Sequence, residues 1–329
     1  MSFLAVSLLG LAALDQAKAL AADPVWERIQ SHLLRLDSGG VTLGHAVLID
    51  PKGLFLAARS SVTTPTLVGW AGPTKPVTLV VAATDETTQM LLLKAEDWTP
   101  RTESGTRILA QIEPGARLIV ATPNGPVRAE FVSADRIGVV RPSLRYTPLA
   151  EIRLESAVGP VGGSPVFTES GGLAGVLGAT LISERPNLAP AAGQPMKAAA
   201  EADSAATALY GPQGMTVAYS LSPTVLQRVV LGFLSPDHKV RHPSIGVFFK
   251  AAADGVLLEA VMPDSPAARA GLKTGEVIVS ANGQAVRTPV EFARLLFGSS
   301  VGDKLRLTIR SGKAEREVEV TVGVQDPDS

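Results

Sequence analysis

The sequence predicts a mainly β protein in two domains, and three observations carry this. Short apolar runs recur between Gly, Pro, Asn and Asp turns along residues 41–154. Those runs are not separated by helical patterns of the length a βαβ unit needs, so the strands must pair with one another in a barrel or sandwich. At 329 residues the chain is long for one hydrophobic core and comfortable for two.

Composition bounds the function. With 46% hydrophobic and 19% charged residues the chain is globular and not disordered. A net charge of -1 gives no steering toward nucleic acid. Only 5% of residues are aromatic, too few for base-stacking platforms. The absence of cysteine excludes a disulfide framework, a thiolate nucleophile and cysteine metal sites. Gly39-Gly40 and Gly171-Gly172 lack the lysine and following helix of a phosphate loop. No cofactor is implied.

The N-terminus has two readings. Residues 3–13 are largely apolar, and Ala19-Leu20-Ala21 has a small-x-small pattern. No positive charge precedes the run, and Asp15 and Lys18 interrupt it. As a signal peptide over residues 1–21 it makes the protein periplasmic or secreted; as an Ala/Leu-rich docking helix it leaves a cytoplasmic protein. The run is too short for an ordinary membrane span, and no other segment is long enough and free enough of charge.

The first domain is expected over residues 25–234. Trp26, Ile29, Leu33 and Leu34 fall near helical spacing, so residues 25–36 read as a helix or a helix followed by a strand. Strands follow at 41–49 and 54–57 around the turn Asp50-Pro51-Lys52-Gly53. Further strands are expected at 77–82, 90–93, 117–121, 129–132, 137–140 and 151–154, with a weaker one at 107–111. Residues 159–171 (GPVGGSPVFTESG) set two glycines before an apolar strand, a polar hairpin and a second strand at 173–177. The Ala-, Pro- and Gly-rich stretch 183–214 reads as a surface excursion. A strand at 215–220 returns, and Ser222 with Pro223 starts a helix over 223–231.

Residues 235–242 form a linker, residues 243–324 the second domain and residues 325–329 a polar tail. The second domain reads as a strand at 244–250, a strand at 256–261, a short helix from Pro266, a strand at 277–279 and an Asn282-Gly283 turn. A helix at 289–296 and a terminal hairpin follow.

The run SPAARAGLKTGEVIVSANGQAV resembles the core of a bacterial PDZ domain, matched at Ala270, Gly271, Leu272, Gly275, Ile278, Asn282 and Gly283. The resemblance implies a groove that takes a peptide C-terminus as an added strand, its carboxylate received by backbone N–H groups. The implied peptide-binding residues are Ser244, Ile245, Gly246 and Val247 on the loop and Phe292, Leu295 and Leu296 on the helix. The residues agree: Gly246 lets backbone approach the carboxylate, and the apolar set lines a side-chain pocket. The bland reading of the same set is core.

The first domain resembles the trypsin-like barrel of HtrA/Deg serine proteases, at 47–56, 84–94, 123–125, 159–171 and 215–231. The resemblance implies a chymotrypsin/trypsin-like double β-barrel followed by a PDZ domain. Such a protease needs histidine, aspartate and serine in chain order, plus two oxyanion N–H groups. Here Ser60 stands at the histidine position, Gln89 at the aspartate and Gly162 at the nucleophile. Pro160, which has no N–H, replaces an oxyanion-donating glycine. Ser164 is a weak alternative nucleophile two residues away. His32 and His45 precede the triad positions, and His238 and His242 read as solvated linker residues rather than metal ligands.

The expected function is that of a non-catalytic HtrA-like pseudoprotease. It would bind protein or peptide C-termini as an adaptor, scaffold or regulator in envelope quality control. The resemblance further implies a trimer and an active HtrA-like protease as partner. The alternatives are a serine endopeptidase with an unconventional active site and a structural envelope protein with a closed PDZ cleft.

Overall fold

A computed structural model describes residues 20–38, 40–72, 74–100, 102–140, 145–158, 162–178, 180–181 and 215–324. The signal-like run, Pro160 and the 183–214 excursion lie outside the described residues. The chain divides into two compact units, the larger holding most of the chain up to Lys239 and the smaller holding Tyr146–Pro148 and the chain from Val240.

In the larger unit helix α1 (Pro24–Ser31) leads in. Asp23 caps it by accepting from the Val25 N–H at 2.8 Å, and Trp26 and Ile29 are its buried face. Strands β1 (Leu33–Ser38), β2 (Val41–Asp50), β3 (Leu54–Ala58), β4 (Thr66–Ala71), β5 (Lys75–Asp85) and β6 (Met90–Ala95) close into a barrel in the order β1-β2-β3-β6-β5-β4. Its interior is apolar, with Leu34, Leu36, Leu48, Phe55, Leu79 and Leu93 buried together. Trp98 stands edge-on to Phe55 at 5.1 Å.

A second sheet contains β7 (Arg117–Thr122), β8 (Gly125–Val140), β9 (Arg145–Val158), β10 (Pro165–Thr168), β11 (Leu173–Val176), β12 (Thr180–Leu181) and β13 (Met215–Leu221). Its order is β11-β10-β7-β8-β9-β13, with β12 on β8. An antiparallel bridge between Leu177 and Ser220 brings the two ends of that order together. Phe131, Ile152, Val166 and Leu177 fill its core. Helix α2 (Pro223–Phe233) follows, its N-terminus capped by the Ser222 hydroxyl.

The smaller unit has β14 (Pro243–Ser244), β15 (Val247–Ala252), β16 (Gly255–Val261), helix α3 (Pro266–Arg269), β17 (Val277–Ala281) and β18 (Gln284–Ala285). Helix α4 (Pro289–Phe297), β19 (Lys304–Ser311), β20 (Ala314–Thr321) and β21 (Gly323–Val324) complete it. The sheet runs β15-β16-β17-β19-β20, β18 pairs with β17, and β14 pairs with β21. Helix α4 starts with a full capping box in which Thr288 and Glu291 each bond the other's backbone N–H.

The structure corrects several sequence expectations. Of the two readings of residues 25–36, the structure takes the helix followed by a strand. Strand β4 was not expected. The expected strand at 107–111 is a single bridge, Ile108 to Leu173. The separate strands at 129–132 and 137–140 are one strand, β8. The expected strand at 244–250 is broken into β14 and β15 at Gly246, whose φ of +73° interrupts the extended backbone. His242 is 3% exposed, so it is not a solvated linker residue.

Candidate active-site cleft and peptide groove

The larger unit carries a cleft of about 280 Å³. From the first barrel it takes Ala58, Arg59, Ser60, Thr88, Gln89 and Met90; from the second it takes Val140, Val176, Leu177, Gly178 and Leu221. Two neighbouring turns build its first wall. Strand β3 ends at Ala58 opposite Met90, and residues Arg59–Ser61 form one 3-10 turn. The Arg59 N–H donates to the Gln89 carbonyl at 2.9 Å, which ties the two turns together.

Gly162 completes the arrangement. A Cβ added to it would lie 3.8 Å from the Ser60 Oγ. Ser60 and Gln89 therefore line one cleft, and Gly162 lies beside Ser60. Ser60 carries a hydroxyl, and Gly162 has no side chain. Gln89 has a φ of +55°, and its amide turns back on its own loop, donating to the Glu86 carbonyl at 2.7 Å and to Glu86 Oε2 at 3.1 Å. Arg59 pairs with the same Glu86 at 3.2 Å.

Ser61 was not singled out in the sequence, yet it orders the packing next to Ser60. It is 1% exposed, and its hydroxyl donates to the Leu43 carbonyl at 3.3 Å. A Cβ on Gly44 or on Gly163 would overlap that hydroxyl, so both glycines are required by it. Ser164 is fully buried, does not line the cleft and has no hydrogen-bond partner for its Oγ among the described residues. An attacking hydroxyl must reach substrate and a base, and Ser164 is placed for neither. His45 is half-buried on β2. Burial lowers its pKa to about 4, against a smaller opposing effect of a hydrogen bond with the Ala121 backbone. Among the described residues no cluster of three or more His, Asp and Glu can hold a metal ion.

The second candidate site lies in the smaller unit. Strand β15 stands at the end of its sheet, paired on one side to β16, so the other side of its backbone is an open edge. Gly246 precedes it. Its carbonyl accepts from the Met262 N–H at 2.9 Å, and a Cβ there would overlap the Ser265 side chain. The preceding Ile245 carbonyl accepts from Ala267 at 2.9 Å, which locks the loop to α3.

The seven residues expected to bind peptide divide by burial. Ile245 and Phe292 are fully buried and Leu296 is 7% exposed, so these three are core. Val247 and Leu295 are partly exposed at its margin. Ser244 and Gly246 form the turn. Phe249, not among the seven, reaches across to α4 and stands edge-on to Phe292 at 5.1 Å, filling part of the space between strand and helix.

These features define a class: a trypsin-like double barrel followed by a peptide-binding module. A PDZ-domain family model matches residues 258–311. A "Probable periplasmic serine endoprotease DegP-like" of Brucella suis biovar 1 is 31% identical over 136 residues, covering 37% of this chain and 26% of that protein. The protein of the same name from Marinomonas sp. is 27% identical over 255 residues, covering 75% of this chain and 50% of that protein. The matched stretch thus spans a quarter to a half of these relatives' length. Among solved structures, "HtrA-type protease AlgW with decapeptide" superposes with a TM-score of 0.59 at 15% identity, covering 87% of this chain and 84% of that one. The serine endoprotease from Yersinia pestis gives 0.55 at 15% identity, covering 92% and 97%. The chain thus carries a PDZ domain and is similar to HtrA/DegP-like serine endoproteases in part of its sequence and in its fold.

Proposed function

We propose that this chain is a non-catalytic member of its family that binds extended peptide segments, protein C-termini among them, on the β15 edge of its PDZ unit. One observation carries the reading. Ser60 and Gln89 line one cleft and Gly162 lies beside Ser60, so the positions aligned with the triad come together without an imidazole, a carboxylate or a serine nucleophile in their places. Loss of any triad member costs several orders of magnitude in rate, and here all three positions have changed. The names of the relatives add a periplasmic setting. The role that fits is an adaptor, scaffold or regulator in envelope protein quality control, with a trimeric assembly and an active HtrA-like protease as partner. The catalytic positions Ser60, Gln89, Gly162 and Pro160 are read as degenerate. Domain limits at residues 25–234 and 243–324 belong to the same proposal.

The Phe249–Phe292 contact favours a second reading, in which the groove is closed and the protein is structural.

The deciding experiment scans the purified full-length protein against a C-terminal peptide library and follows casein cleavage in the same samples. Saturable micromolar binding, lost in a folded Gly246→Leu variant, with no cleavage, supports the proposal. Cleavage that persists through further purification overturns the pseudoprotease reading. Absence of any binding supports the closed groove.

A further inference from the structure

The loop that would receive a peptide carboxylate is already partly satisfied from within. The Gly246 N–H donates to the hydroxyl of Ser244 at 3.0 Å. In a loop of this kind the glycine N–H is one of the donors that would face an incoming carboxylate. Here a neutral side chain two residues earlier takes it. The strand's own cation is also committed: Lys250 on β15 pairs with Glu259 at 2.7 Å. What remains unpaired is the strand itself. The Gly246 carbonyl points inward to Met262, and alternation along an antiparallel strand turns the N–H and C=O of Val247 to the open edge. Next to it Phe248 is 53% exposed.

Resting on the peptide-binding reading above, we infer that the groove does not require a free C-terminus: Ser244 caps the carboxylate loop, and the site takes internal extended segments of a polypeptide by strand pairing on β15. Such a ligand is an unfolded or extended stretch with apolar residues at alternate positions, because alternate side chains of an added strand face the same way. A terminal carboxylate gains little here, since it must displace a hydrogen bond already made.

The test uses the full-length protein and a fluorescein-labelled decapeptide of alternating valine and serine, made as the free acid and as the C-terminal amide. Fluorescence anisotropy should give dissociation constants within about threefold of each other for the two forms. Ser244→Ala frees the Gly246 N–H and should strengthen the acid form alone, by about fivefold. Acid binding more than about tenfold tighter than amide in the unaltered protein overturns the inference but keeps the peptide-binding reading. Weaker acid binding in Ser244→Ala also overturns it, because the hydroxyl would then be serving the carboxylate. Failure of both peptides to bind overturns the underlying reading and the inference with it.

Discussion

Ser60 and Gly162 are neighbours, with 3.8 Å between the serine Oγ and the place where a Gly162 side chain would begin. On the reading proposed above, these positions have lost both the triad's side chains and, at Pro160, an oxyanion donor. Restoring side chains alone should therefore fail. The triple variant Ser60→His, Gln89→Asp, Gly162→Ser should not cleave fluorogenic casein above background, because proline at position 160 supplies no N–H to the oxyanion. Adding Pro160→Gly should raise the rate by about 10² or more. Full activity in the triple variant would show that the oxyanion site is intact without that donor.

The packing around Ser61 offers a stability test. Gly44→Ala places a methyl group against the Ser61 hydroxyl and 3.1 Å from the Gly163 carbonyl. It should destabilise the protein by about 2 kcal/mol. Ser61→Gly should recover at least half of that loss in the double variant, a coupling of about 1 kcal/mol. Urea unfolding of the four proteins measures the cycle, and strictly additive effects would show that Gly44 is constrained by something else.

His45 predicts a pH dependence. Its folded pKa is lowered to about 4 from an ordinary value of 6.5, so the unfolded chain binds the proton first as pH falls. The protein should keep this contribution above pH 6.5 and lose it progressively down to about pH 4. The loss is on the order of 2–3 kcal/mol. His45→Gln should flatten that part of the curve relative to the unaltered protein. Parallel curves through the window would mean that the histidine is solvated in the fold.

Much of this was legible in the sequence. The PDZ signature fixed its unit because each glycine answers a backbone need: Gly271, Gly275 and Gly283 all have positive φ. The triad positions were legible only through family resemblance, since serine, glutamine and glycine carry no signal of their own. Strand β4 was hidden for a physical reason. Gly69 interrupts its apolar pattern, yet the missing side chain is what lets Leu34 and Leu79 pack there, the latter within 2.9 Å of where a Cβ would stand. Strand β8 was split because Ala134, Asp135 and Arg136 face solvent in its middle. Ser61 was passed over because its partner, the Leu43 carbonyl, is distant in the chain, and Ser244 was read as a peptide-binding residue while its bond to the Gly246 N–H depends on a turn only the backbone reveals.

The pairing of β14 with β21 has one more consequence. Ser244 lies opposite Gly323, so the residues that open the peptide loop are clasped by the last strand of the fold. Whatever tugs on or trims the chain just beyond Val324 is thereby transmitted to the mouth of the groove. A tether, a purification tag or a nibbling exopeptidase at that point would act as a hand on the latch, and an affinity measured with such an attachment would report on the attachment as much as on the ligand.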